Sequence, residues 1–169
     1  MSNEAEPQLA PPGAGLPAIE LFIARRLFAL KRLLGRREAF TAKFEQERVA
    51  IRNLVNSCDA SKRSERMLIP RLRGLEDSSR FWSVWMTLDH LRITNIAFAQ
   101  VITALANGKV PPGKDSTAAV KPSTTVTAEI EAEYERSCDD VLVAVAAVPD
   151  LKTKVRYAHP WFGPLDAAG

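Results

Sequence analysis

The stretch WSVWMTLDHLRITNIAFAQVITALANG, residues 82–108, constrains this chain more than any other. In it Val84, Leu88, Leu91, Asn95, Phe98, Ile102 and Leu105 recur at alternating steps of four and three. Only an α-helix brings such positions onto one face. A second row, Met86, His90, Ile93, Ala97, Val101 and Ala104, lies beside the first. The apolar face is therefore wide, and a wide face predicts a helix at the centre of a helical core. Ser83 is placed to cap its start and Gly108 to end it. Residue 86 is Met rather than Glu, so there is no reciprocal capping box.

The remaining segments are read against that helix. Ile19, Ile23, Leu27, Leu30 and Leu34 form another helical stripe. Gly35 marks a break, and Phe40, Phe44, Ile51, Leu54 and Val55 carry the helical stretch on to about Ser57. The stripe is narrow and its arginines and lysines are spread around the helix, so it is assigned to a bundle seam rather than to a membrane surface. Pro70 and Gly74 forbid a long helix in residues 67–80. Residues 109–125 hold three prolines and a glycine and read as a loop. Val126, Ile130, Tyr134, Val141, Val145 and Val148 then mark a third helix, opened by Glu129, Glu131 and Glu133 and ended by Pro149. No convincing alternating strand is found. Leu165–Gly169 read as the first turn of a further helix.

Length and composition narrow the function classes. The 169 residues suit one domain, and 46% hydrophobic with 25% charged residues is an ordinary globular balance. Residues 1–16 are acidic and then rich in Pro, Ala and Gly, which reads as a disordered tail ahead of a helical domain spanning 17–169. Residues 20–80 hold fifteen basic against eight acidic residues, without aromatic interleaving or a nucleic-acid motif. No nucleic-acid partner and no membrane partner are expected. Cys58 and Cys138 form no motif and read as reduced thiols of a cytoplasmic protein.

Three short motifs carry a family resemblance over about residues 40–169. Trp82-Ser83 followed by Leu88-Asp89-His90-Leu91 and Asn95 resembles the second-helix motif of DinB/YfiT-like proteins. Arg71-Leu72-Arg73-Gly74-Leu75-Glu76 upstream and His159-Pro160-Trp161-Phe162-Gly163-Pro164-Leu165 downstream look like one branch of that superfamily. The resemblance implies an all-α four-helix bundle with a divalent metal, zinc or nickel, held by three histidines. His90 matches the one from the second helix. The other two come from the family's last helix, and relatives include transferases that use small-molecule thiols and hydrolase-like enzymes.

Three imidazoles leave an open position on the metal where water or a thiol loses its proton near neutral pH. This sequence has two histidines in all, His90 and His159. The expectation is thus a bundle lacking most or all of its fourth helix, inactive as it stands, with His90 a single ligand and no metal bound tightly. The alternative is a non-catalytic helical interaction module. Asn95 and His159 are pocket candidates. For each, a plain structural role weighs as much or more: an interhelical amide bond for Asn95, a stabilised turn for His159. Glu129 and Glu133 are spaced like paired carboxylates but have no histidine near them for a two-metal site. Loss of the last helix would uncover the seam of Leu88, Leu91, Phe98 and Val101 and favour self-association through it.

Overall fold

The Ser83 hydroxyl accepts the Met86 N–H at 3.1 Å and starts a helix, here α3, that runs Val84–Ala106. At its other end Gly108 takes a positive φ of 70°. Gly108 N–H donates to the Leu105 carbonyl and Lys109 N–H to that of Ala104. These two bonds satisfy carbonyls that the helix leaves open, and the left-handed residue between them favours glycine. The computed structural model describes residues 6–111 and 116–169. Preceding α3 are α1, Ala18–Leu34, and α2, Arg37–Ser57; α4, Ile130–Ala147, follows it. No helix among the described residues is long and apolar enough to cross a membrane.

Among the described residues four α-helices stand where the periodicity numbers three stretches. The difference lies at Gly35 and Arg36, both extended, which divide the first helical stretch in two. Two short antiparallel ladders complete the fold. In one, β1 (Met67–Leu68) pairs with β2 (Phe81–Trp82). In the other, β3 (Tyr157–His159) pairs with β4 (Gly163–Leu165). Strands of two or three residues are too short for a period of two to register in a sequence. The residues Leu165–Gly169, expected to open a helix, are instead the end of β4 and a turn closed by Gly169 N–H to Asp166 carbonyl. Leu165, Asp166 and Ala167 are buried there.

The core has two parts, both built on α3. Leu88, 2% exposed, packs with Val55 of α2 and with Ile130, Tyr134 and Cys138 of α4. Burying a leucine this fully is worth about 1.5–3 kcal/mol. Farther along α3, Leu105 packs with Tyr157 and Ala167, and Val101 joins them. The seam expected to be bare on α3 is therefore covered by α2, α4 and the β3–β4 hairpin. Of its four residues only Phe98 is exposed. Arg48 of α2 reinforces the arrangement by bonding Glu135 and Asp139 of α4.

Residues 6–16, read from sequence as part of a loose tail, are tied to the body in three places. Ala10 N–H donates to Asp77 and Gly15 N–H to Glu76, and Glu6 pairs with Arg66. The remainder of that tail, 1–5, and residues 112–115 of the long loop lie outside the described residues.

Candidate functional site

His90, Asn95 and His159 are sent to different neighbours. His90 is half-buried in the second turn of α3, and its Nδ1 lies 2.6 Å from the Val120 carbonyl oxygen. A carbonyl only accepts, so Nδ1 carries a proton and donates it. The ring leans on Trp82 with centroids 5.2 Å apart, and the Lys121 ammonium sits 5.3 Å from the same indole.

Around this histidine the buried acids Glu76 and Asp89 grip the incoming segment 117–123. Asp89 accepts the Ser123 N–H at 2.9 Å and pairs with Arg92. Glu76 accepts from Lys121 Nζ at 2.8 Å and Thr117 Oγ1 at 2.7 Å, and Lys121 also donates to Ser79. Burial pushes the Glu76 carboxyl up, but its bonds to Lys121 and Thr117 outweigh this and hold it below the ordinary range. Neither acid stands out by spacing. Their only signal in the sequence is that each falls within a quoted motif, R-L-R-G-L-E or L-D-H-L.

A His with Nδ1–H on a carbonyl is oriented as a metal-binding imidazole would be. The other groups do not fit a metal. The ring of His90 meets an indole and a carbonyl already bonded. Among the described residues no three of His, Cys, Asp and Glu converge on one point. His90 is placed to secure a crossing segment.

Asn95 faces α4. Its Nδ2 donates to Ser137 Oγ at 3.1 Å and Cys138 Sγ at 3.4 Å, an interhelical joint inside the core. Burial pushes the Cys138 thiol pKa up, and a buried protonated thiol is a poor nucleophile. His159 ends β3, where its Nδ1 accepts the N–H groups of Trp161 and Phe162 at 3.1 and 3.3 Å. It stabilises the turn into β4. Beside that turn is an open cleft of about 320 Å³ between Gly13, Gly15, Leu21, Thr117 and Trp161. Its described lining offers no acid, base or thiol.

The surface that stands out belongs to α1. Successive residues of a helix turn by about 100°. On one side of α1, Glu20, Leu21, Ala24, Phe28 and Arg32 are partly buried. That side is moored to the body. Phe28 stacks on Phe162 with centroids 4.3 Å apart, Arg32 pairs with Asp166 at 2.6 Å, Arg25 donates to the Trp161 carbonyl, and Glu20 accepts from Arg71.

The opposite side holds Ile19, Phe22, Ile23, Leu27, Leu30, Leu33 and Leu34, all at least half exposed and reaching 80% at Leu33. The stripe assigned by periodicity to a seam thus faces outward. No residue of α1 is buried. The reason lies in the mooring side, where three arginine and glutamate anchors and one aromatic stack hold the helix, so the more apolar face is left over.

Comparison with known proteins adds to the fold alone. No family model and no curated protein matches the chain. A solved structure described as TT2238, a four-helix bundle protein, is similar over 76% of this chain and 81% of that one, with 21% identity and a TM-score of 0.52.

Proposed function

We propose that this chain is a non-catalytic helical interaction module whose binding surface is the outward face of α1. One observation carries the reading: seven large apolar side chains on one helix are at least half exposed while the same helix is anchored through its other side. Exposed apolar patches of this kind mark interaction sites in soluble proteins. The bundle itself we read as DinB/YfiT-like, on the motifs at 71–76, 82–95 and 159–165. In this reading the second-helix histidine has been diverted to holding Val120, and it leaves no metal-dependent transferase or hydrolase centre. A small-molecule thiol substrate belongs with that centre and is not proposed.

The test is thermodynamic. The double variant Leu27→Glu, Leu30→Glu should unfold in urea within about 0.5 kcal/mol of the parent, as surface changes do. Leu88→Ala, in the core, should lose about 2–5 kcal/mol under the same conditions. If the double variant loses as much as Leu88→Ala, the α1 stripe is core and the reading fails.

A further inference from the structure

We infer that the outward face of α1 lies down on an anionic lipid surface. This rests on the reading of that face as a binding surface and names what binds it. Taken together, its exposed side chains present several hundred Å², at or beyond the largest apolar patch of an ordinary monomer, about 300–600 Å².

The charges around the patch select the occupant. Glu20, the one acid in α1, has both oxygens on Arg71 and accepts the Gly74 N–H as well. Arg25 and Arg32 are committed to the hairpin. What remains is Arg26 within the stripe, stacked 5.0 Å from the Phe22 ring, with the exposed Lys31 on the moored flank and the exposed Arg36 just past the helix end. No carboxylate among the described residues pairs with these three.

A second copy of the chain would set this cationic stripe against itself and bury Arg26 beside like charge. A lipid surface receives it differently. The apolar side chains enter the acyl boundary, and the long cationic side chains reach back to the phosphates. A helix of seventeen residues, about 25 Å long, lies flat in that interface without spanning it. The expectation of no membrane contact rested on a narrow stripe with arginines and lysines spread around the helix; Arg25 and Arg32 are instead tied to the body, and the stripe is the outward side.

The test floats the full chain with vesicles of phosphatidylcholine containing one-third phosphatidylserine, and with pure phosphatidylcholine vesicles. The chain should float with the mixed vesicles and be released by high salt. Each cation near the surface is worth about fivefold in affinity, so Arg26→Ala should weaken binding about fivefold and pure phosphatidylcholine should bind far less. Leu27→Glu, Leu30→Glu should abolish flotation. Val143→Glu, at an exposed apolar position of α4, should leave it unchanged.

Flotation that ignores the α1 variants, or no flotation at all, overturns the proposal. A dimer in sedimentation that the α1 double variant breaks, without flotation, overturns it in favour of a second copy and leaves the binding face standing. A monomer that does not float overturns it and leaves no second copy on the face. Failure of the face itself is read separately, as loss of folding stability in the urea comparison above.

Discussion

Tyr157 carries its phenol into the second core cluster, beside Leu105 and Ala167, and its Oη has no hydrogen-bond partner among the described residues. A buried hydroxyl left unpaired costs about 1–3 kcal/mol. Tyr157→Phe should therefore raise the urea midpoint, by about 1 kcal/mol in free energy. A loss of stability instead would reveal a partner for the hydroxyl. Among the described residues no other fully buried side-chain nitrogen or oxygen lacks a partner. Spacing placed His90 and Asn95 on the inner rows of α3. It could not tell that His90 meets the Val120 carbonyl, thirty positions away, or that Asn95 meets Ser137. A local pattern reports which way a side chain points; only the chain's return path supplies its partner. His159 was more legible because its partners, Trp161 and Phe162, are two and three residues along.

At the scale of elements, the joint between α1 and α2 depends on space more than on backbone freedom. Gly35 has an ordinary φ of −78°. A Cβ there would meet the Phe40 ring at 2.1 Å and the Lys31 carbonyl oxygen at 2.7 Å. The ring can swing aside, but the carbonyl is held by its helix. Gly35→Ala should cost about 1–3 kcal/mol in urea unfolding, as overpacking does. Adding Phe40→Leu should recover only part, because the carbonyl contact remains. Full stability in the single variant would mean that the joint yields. The helices themselves were well marked in the sequence: α3 by its two apolar rows and cap, and α4 by its spacing and Pro149. The orientation of α1 was not. Its moored side uses Glu20, Ala24, Phe28 and Arg32, a set with no strong hydropathy signal, while the outward side has the clean spacing that usually marks a core.

Acid should loosen the whole molecule. Glu20 is held at about 2, against an ordinary 4.5, first by its Arg71 bonds and then by the Gly74 N–H. Glu135 lies low through its Arg52 bonds, with Arg48 adding to them, and Asp77 through those to Arg80 and Ala10. Burial raises Glu131, but its bonds to Trp85 and Arg63 bring it below the ordinary range. The unfolded chain takes up protons on these groups before the folded chain does. Their stabilisation is thus complete above about pH 4.5 and is lost as pH falls toward about 2. Urea midpoints measured across this range should fall steadily, with a shallower slope for Glu20→Gln. A midpoint that does not move down to about pH 3 would show that the ion pairs contribute nothing. The loss would reach α1 directly, since Glu20–Arg71 is one of its moorings. Attachment and presentation use opposite sides of that one helix. Five partly buried positions answer to the fold, and seven outward ones answer to what lies outside. Mutation can rewrite the second set while the first stays fixed, so on the proposed reading descendants of this chain can exchange one client for another without inventing a new scaffold.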